Sequence, residues 1–374
     1  INPEILESDG SQTGEEGFHL AATVVHELGH ALGIGAYTFG EGKETFFFDP
    51  DNFGLWSMGL RDMHGTPAKP GMAISPNGGD KDPKVFVLAN KDNFSGAYFT
   101  GKNVEEVLGK GTMLTFPENS LETLYSTPVP GLPVNAFEGQ GDELFAELSH
   151  IELQNGLMSH QWWRNWTTPM EAELAVLQDL GLKFDRKQLF GHSIYASGTE
   201  SRANEIVNTN GYYARENGEW IVGKPNETPL GVGLHIYGSY NAVTQKADLL
   251  TIGEEAVGIR VEGVGNKLSV APGTRVQADG TGGSALLVSY GKEHHINLAG
   301  EVTALGQDGI AARFDFGDNI LGKLNDQILE YRGSWMWPQN AADDEVTGEE
   351  ILSKIDGALV STFNVSGSLR GSET

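Results

Sequence analysis

The chain has no cysteine among its 374 residues. Neither a disulfide framework nor a zinc site with thiolate ligands is therefore available to it, and a chain without disulfides can cross a periplasm unfolded. Basic residues are also scarce, because 25 Lys and Arg stand against 51 Asp and Glu and give a formal net charge of -26. Nucleic acid and anionic membrane surfaces repel such a chain, so we expect neither as a partner. Since no apolar run reaches the roughly 18 residues of a membrane span, we also expect no membrane insertion by this segment.

The segment HELGHALGIG, which begins at His26, carries the strongest chemical signal. Residues four apart lie on one face of a helix, so His26 and His30 can bind the same metal ion. Glu27 projects beside this pair, where it can take a proton from a metal-bound water whose pKa zinc lowers to about 7. These three residues therefore predict the helix of a zinc peptidase.

The residues around the motif predict where this helix runs. Apolar residues from Phe18 to Leu28 recur at helical spacing and indicate a helix with an apolar face. Gly33 can take a positive φ, so we predict that it ends the helix and turns the chain back toward the metal. The alternative is an ordinary buried helix that matches the motif by chance.

Two histidines do not complete a catalytic zinc site, which usually has three protein ligands and one open position for water. The start HExxHxxG resembles the metzincin peptidases, whose short-spacing members carry the third histidine three residues after the glycine. That position is Ala36 here. The third ligand must therefore come from elsewhere in the chain.

Two downstream stretches resemble the leishmanolysin-type metzincins, namely residues 147–159 and residues 170–181. In that type the third histidine follows a long insertion and precedes the methionine of the Met-turn beneath the metal. The resemblance implies a metzincin-like zinc peptidase fold, with His150 as the third ligand and Met158 as the Met-turn methionine, an apolar floor that does not bind zinc. Because the gap between these two residues is shorter than in the family, His160 remains an alternative third ligand.

The catalytic domain is predicted to span residues 1–190 with mixed α+β character. Residues 36–149 form its long insertion, whose composition predicts loops and short elements on a scaffold. Asp49 and Asp51 in this insertion could bind Ca²⁺, although a solvated turn is favoured because the pattern is not an EF-hand. The run from Thr168 to Glu171 predicts a capping box with proline at the first helical position, and Gly181 predicts the end of that helix.

After residue 190, short β-prone segments replace helical periodicity. The segments 234–238, 259–263, 287–291 and 313–317 each end in glycine and look like copies of one unit. Their final glycines are 25, 28 and 26 residues apart, which suits one coil of a solenoid. The apolar phase slips by one residue in the last two copies, so we expect that these glycines need not stack in strict register.

Two asparagines support the same architecture. Asn241 and Asn266 each follow a repeat glycine by three residues, where they could form a ladder between coils. We therefore predict a right-handed parallel β-helix over residues 191–374. A β-sandwich with hairpins is the alternative, since it also has short strands and many turns.

This half of the chain resembles the passenger domains of bacterial autotransporters. The resemblance implies a secreted or cell-surface protein of the outer membrane, a mature piece without its leader, and an outer-membrane barrel downstream in the full-length protein. Together the two halves predict a zinc-dependent endopeptidase that hydrolyses extracellular protein or peptide substrates, with Glu27 as general base. The alternative is a cell-surface adhesin or glycan-binding passenger with a peptidase-like head, against which the intact Glu27 argues.

Overall fold

The computed structural model describes residues 20–40, 46–75, 81–88, 97–115, 128–135, 137–138, 145–159, 168–315 and 357–372. Strands predominate over helices within these residues. The described residues fall into two compact units, which divide between Leu182 and Lys183, a few residues before the boundary predicted from the sequence. Among the described helices, none combines the length and the apolar character that a bilayer crossing requires.

The first unit combines short helices with short strands. Its helices are α1 (Leu20–Ala31), α2 (Leu55–Gly59), α3 (Lys102–Leu108) and α4 (Glu171–Asp179). One sheet has the order β1 (Thr38–Gly40), β2 (Phe46–Phe48), β4 (Ala73–Ser75) and β5 (Val85–Val87). A second sheet has the order β3 (Leu60–Asp62), β6 (Ala97–Phe99) and β7 (Leu132–Val134), and β8 (Phe137–Glu138) pairs with β9 (Phe145–Ala146). The strands of the insertion are thus two or three residues long, so loops make up much of what is described there.

Helix α4 begins later than the sequence predicted. Its N-cap is Met170, so Pro169 precedes the cap and does not occupy the first helical position. The reason is the Glu173 carboxylate, whose Oε2 accepts a hydrogen bond from the Met170 N–H at 2.7 Å. At the other end Gly181 has φ +98°, which confirms the predicted stop.

Helix α4 also holds the start of helix α3. The Asp179 carboxylate accepts hydrogen bonds from the backbone N–H groups of Asn103 at 2.9 Å and Val104 at 3.0 Å. These N–H groups have no partner within their own helix, so a carboxylate from a neighbouring helix takes the role of an N-cap. The two helices are therefore fixed to each other by a polar contact as well as by packing.

The second unit contains three sheets in which every strand pair is parallel, and successive repeats add one strand to each sheet. The first sheet holds β10 (Phe190–Ile194), β14 (Val232–Ile236), β17 (Val257–Val261), β20 (Ser284–Val288) and β23 (Ile310–Phe314). The second holds β11 (Asn204–Asn208), β15 (Asn241–Gln245), β18 (Lys267–Val270), β21 (Gly291–Leu298) and β24 (Ala358–Val365). The third holds β16 (Leu249–Thr251), β19 (Arg275–Ala278), β22 (Glu301–Ala304) and β25 (Ser368–Gly371). A short 3-10 helix (Arg186–Gln188) precedes β10, and β12 (Ala214–Glu216) and β13 (Glu219–Ile221) form an antiparallel hairpin. This order is compatible with a parallel β-helix, whereas a hairpin sandwich would pair its strands antiparallel.

The repeats stack with their apolar residues in register. Leu234 pairs with Ile259, Ile259 with Leu286, and Leu286 with Ala312. The strands themselves are therefore in phase. The slip seen in the sequence arises because one more residue separates the end of β20 from Gly291 than separates the end of β17 from Gly263.

The repeat glycines stack, contrary to the expectation that they need not. A Cβ on Gly263 would lie 2.6 Å from the carbonyl oxygen of Gly238, and a Cβ on Gly291 would overlap the carbonyl oxygen of Gly263. Only glycine permits backbones to approach so closely at these corners. The fourth repeat glycine, Gly317, lies outside the described residues.

A ladder of buried amides runs beside this glycine column. The Asn266 Oδ1 accepts a hydrogen bond from the Asn241 N–H at 2.8 Å, and its Nδ2 donates to the carbonyl oxygens of Gly238 at 2.7 Å and Glu262 at 2.6 Å. The next step is a bond from Asn204 Nδ2 to Asn241 Oδ1 at 2.8 Å. Neither Asn241 nor Asn266 is exposed to solvent. Each amide thus satisfies backbone groups that the corner would otherwise bury unpaired.

A charged cluster lies buried across three successive repeats. Arg260 Nη2 contacts Glu262 Oε1 at 2.5 Å, Ser289 Oγ donates to the same oxygen at 2.8 Å, and the His235 Nε2 lies 3.2 Å from Oε2. Burial alone would raise the pKa of Glu262, but the Arg260 charge and the bonds from His235 and Ser289 lower it to about 2. The ionised carboxylate is therefore part of the native packing.

Replacement of Asn266 by alanine should destabilise the second unit strongly. Three buried backbone groups would lose their partner, so we expect a loss of at least about 3 kcal/mol in the free energy of unfolding. Asn204, the half-buried residue at the end of the ladder, gives the control. Its replacement by alanine should lower the free energy of unfolding by only about 1 kcal/mol. Urea unfolding followed by circular dichroism measures both, and equal losses would contradict the ladder's role.

The stability should fall in acid through Glu262. A carboxylate with a depressed folded pKa contributes stability that is fully present above its unfolded pKa of 4.5 and is lost as the pH falls toward 2. The shift corresponds to about 3 kcal/mol. Glu262→Gln should flatten the dependence of unfolding free energy on pH between 4.5 and 2, whereas the exposed control Glu254→Gln should keep the wild-type slope. An unchanged slope in Glu262→Gln would show that other carboxyl groups cause the acid sensitivity.

Candidate metal centre

Helix α1 carries the motif, and its existence confirms the helix predicted from the spacing. The side it buries differs from the predicted apolar face, because Leu28 is 53% exposed whereas His26 and Gly29 are buried. The helix therefore turns the side that carries His26 and Gly29 toward the interior. This orientation brings the histidines against the rest of the first unit.

The end of α1 sets the orientation of His30. Gly33 has φ +110°, and its N–H donates to the His30 carbonyl at 2.9 Å while the Ile34 N–H donates to the Gly29 carbonyl at 3.2 Å. This is a Schellman motif, which confirms Gly33 as the helix stop. The reversed chain places the Ile34 carbonyl oxygen 2.7 Å from the Nδ1 of His30. The residue that ends the helix thus also fixes its second histidine.

His150 reaches the helix from a loop that pairs with the chain just after β7. The Asn135 N–H donates to the His150 carbonyl at 3.0 Å, and the Leu148 N–H donates to the Asn135 carbonyl at 3.1 Å. Leu148 has φ +51°, a left-handed conformation that costs a leucine about 1–3 kcal/mol. The indole N–H of Trp56 donates to its carbonyl at 2.8 Å and helps hold the turn. Backbone strain is therefore stored two residues before the third histidine.

The three histidines converge on one point. The Nε2 of His26 lies 3.1 Å from the Nε2 of His150 and 3.0 Å from the Nε2 of His30. Among the described residues, these three form a group whose ligand atoms all lie within 4.8 Å of one another and could hold a metal ion. His26 is 4% exposed, and the other two are half-buried.

Hydrogen bonds at Nδ1 determine which nitrogen of each neutral ring carries the proton. Nδ1 lies 2.7 Å from the Leu157 carbonyl oxygen in His26 and 2.6 Å from the Glu147 carboxylate in His150, and His30 bonds to Ile34 as described. Carbonyl and carboxylate oxygens only accept, so each Nδ1 carries the proton. In a neutral ring the Nε2 is then a lone pair, and lone pairs about 3 Å apart repel unless a cation lies between them.

The observed spacing fits such a cation. A tetrahedral ion with nitrogen ligands at about 2.0–2.1 Å separates those nitrogens by about 3.3 Å. The measured separations of 3.0 and 3.1 Å are close to this value. The donor set and the ring orientations therefore fit a metal ion bound by His26, His30 and His150.

Met158 packs against helix α1. A Cβ placed on Gly29 would overlap the Met158 sulfur, so the absence of a side chain at Gly29 lets the methionine pack against the helix backbone. Met158 is 2% exposed. It packs against the backbone of α1 at Gly29, one residue before His30, where it forms an apolar support.

Ala36 lies close to the loop that carries His150. The Ala36 N–H donates to the Ser149 Oγ at 3.1 Å, and Ser149 precedes His150 in the chain. The chain after the helix stop is thereby attached to the loop that carries the third histidine.

The other predicted site residues have different placements. Glu27 is exposed on α1 between the first histidine and the second. His160, the alternative third ligand, lies outside the described residues. The Asp49 carboxylate accepts hydrogen bonds from the Asp51 N–H at 2.8 Å and from the Asn52 side chain at 2.8 Å, so it lies in an exposed turn. These bonds lower the pKa of Asp49.

Two buried acidic residues next to the site were not predicted from the sequence. Glu147 is 6% exposed and bonds to His150, and Glu173 is 2% exposed and bonds to the Met158 N–H at 2.7 Å. A carboxylate three residues before a candidate histidine ligand was the available signal for Glu147. The available signal for Glu173 was its position three residues after the N-cap Met170, which is typical of a capping box. This spacing gave no indication of the contact with Met158.

Comparison of the chain with protein-family models, curated proteins and solved structures gives no match.

His150→Ala should abolish metal retention. Loss of one of three ligands should weaken binding by at least about 100-fold, the upper range for changes to residues that only support a ligand. His160→Ala is the matched control and should leave the metal content unchanged. Metal analysis of the purified proteins and cobalt titration measure both. The reverse result would assign the third ligand to His160.

Proposed function

We propose that the chain is a zinc-dependent endopeptidase. The observation that carries the proposal is the convergence of the Nε2 atoms of His26, His30 and His150, while Glu27, the residue after His26, is exposed on α1. A structural zinc site is usually closed by four protein ligands, whereas a catalytic site keeps one position open. Three histidines with a neighbouring exposed carboxylate favour the catalytic type.

Zinc is the metal that the donors favour. Imidazole nitrogens are preferred zinc ligands, and calcium or magnesium would require oxygen ligands. The supporting groups are also typical of zinc sites, in which each ligating histidine donates its other N–H to a carboxylate or a carbonyl. The partners of the three rings here are one carboxylate and two carbonyls.

In the proposed mechanism, His26, His30 and His150 would hold a zinc ion that lowers the pKa of a water to about 7 and polarises the scissile carbonyl. Glu27 would accept a proton from the attacking water and later donate it to the leaving amine. Glu27 is suited to this role because it follows His26 directly in the chain and is exposed to solvent on α1. Met158 supports the helix from below and does not react.

Kinship with the long-insertion metzincins is part of the proposal. Its support is the glycine stop at Gly33, the distant His150 and the packing of Met158 against Gly29. For the second unit we propose a right-handed parallel β-helix of the passenger type, supported by its three parallel sheets. A secreted or cell-surface enzyme acting on extracellular proteins follows from this combination, and the absence of cysteine is consistent with export.

Glu27→Ala tests the enzymatic role. Loss of a general base should reduce cleavage by about 10²- to 10⁴-fold, while zinc remains bound because the residue is not a ligand. The matched control is Glu105→Ala, an exposed helical glutamate in α3 that should retain full activity. Cleavage of a fluorogenic peptide library and metal analysis of the same samples give the two measurements.

The metal content separates two kinds of failure. Stoichiometric zinc without Glu27-dependent cleavage would contradict the peptidase and favour the adhesin or glycan-binding passenger, in which the metal centre is structural. Wild-type protein that binds no zinc would contradict the metal site itself.

A further inference from the structure

One peptide group lies between a buried carboxylate and a metal-site histidine. The carbonyl oxygen of Leu157 accepts a hydrogen bond from the His26 Nδ1 at 2.7 Å. The N–H of the same peptide, which belongs to Met158, donates to the Glu173 Oε1 at 2.7 Å. Hydrogen bonds at the two ends of one amide strengthen each other, because an anion at the N–H increases the electron density on the carbonyl oxygen. Glu173 and His26 are therefore coupled through this peptide.

The carboxylate is held rigidly in this position. Glu173 is 2% exposed, and its second oxygen accepts the Met170 N–H at 2.7 Å. It stands in the first turn of α4, where the helix dipole favours a negative charge. A Cβ on Gly156 would lie 3.0 Å from Oε1, so the loop is shaped to approach the carboxylate closely.

We propose that Glu173 is a positioning residue for the metal centre and acts on His26 through the Leu157–Met158 peptide. It fixes the loop carbonyl that holds the His26 ring with Nε2 toward the metal, and it increases the electron density of that carbonyl. A stronger acceptor at Nδ1–H makes the opposite nitrogen a better metal ligand. Glu147 does the same directly for His150, so two of the three rings are tied to buried carboxylates.

The inference rests on the metal site of the proposed function but not on peptidase activity. Glu173→Gln keeps the size of the side chain and removes its charge. Cobalt affinity should fall by about 10-fold, the low end of the range for supporting residues, because the effect passes through a peptide. Glu147 bonds to His150 itself, so the cobalt affinity of Glu147→Gln should fall by as much or more.

The matched control is on the same helix. Asp179→Asn removes a carboxylate that also accepts backbone N–H groups but that bonds to α3 and not to the Met158 loop. This variant should lose stability and keep wild-type cobalt affinity. A loss of affinity equal to that of Glu173→Gln would mean that α4 supports the site only by its general stability.

A spectroscopic readout distinguishes positioning from stability. In metal-free, ¹⁵N-histidine-labelled protein, the Nδ1–H proton resonance of His26 should move upfield in Glu173→Gln, because its hydrogen bond weakens, and should stay in place in Asp179→Asn. Should Glu173→Gln fail to fold, Glu173→Asp keeps the charge but withdraws it from the Met158 N–H and should show the same two changes.

The two possible failures give different results. A folded Glu173 variant with unchanged cobalt affinity and an unchanged His26 resonance would overturn the inference. Wild-type protein that binds no cobalt would overturn the metal site instead.

Discussion

The candidate metal centre depends on three hydrogen bonds that turn the Nδ1 atoms of the histidines outward and their Nε2 atoms toward one point. Each bond has a different origin: a carbonyl after a helix stop for His30, a loop carbonyl for His26, and a buried carboxylate for His150. Once these protons are placed, the three lone pairs face one another and repel. A cation bound between the three nitrogens would remove this repulsion.

Several features of the first unit serve this arrangement. Gly33 reverses the chain so that Ile34 can accept from His30, and Gly29 leaves room for Met158 beneath the helix. Helix α4 contributes the carboxylate of Glu173, which fixes the loop that holds His26. The loop of His150 adopts a left-handed turn at Leu148, which the contact with Trp56 offsets in part. The packing of the unit is therefore organised around the orientation of three rings.

The local part of this site could be predicted from the sequence. Helical spacing brings His26 and His30 to one face, and the glycine that ends the helix is visible three residues later. His150 could be named only by resemblance, because no local pattern reveals which distant histidine folds back onto a helix. The hydrogen-bond acceptors of Leu157 and Ile34 are backbone atoms, so no side-chain pattern in the sequence marks them.

Two features of the structure differ from the predictions made from the sequence, and both differences have physical reasons. Helix α4 starts at a different residue than predicted because Glu173 binds an N–H from the helix start and another from the Met158 loop, a tertiary contact that cap rules do not include. The repeat period in the second unit was visible because stacked repeats require similar lengths. The stacking of Gly263 and Gly291 could not be predicted, because an extra residue between β20 and Gly291 shifts the sequence pattern while the two glycines still lie against each other.

X-ray absorption spectroscopy of the protein loaded with one equivalent of zinc tests the central claim most directly. We predict a four-coordinate ion with three imidazole nitrogens at about 2.0–2.1 Å and one further light ligand from solvent. The imidazole count should fall to two in a His150 variant. A spectrum with two or fewer imidazoles in the wild-type protein would contradict the account, because His26, His30 and His150 would not then bind one ion together.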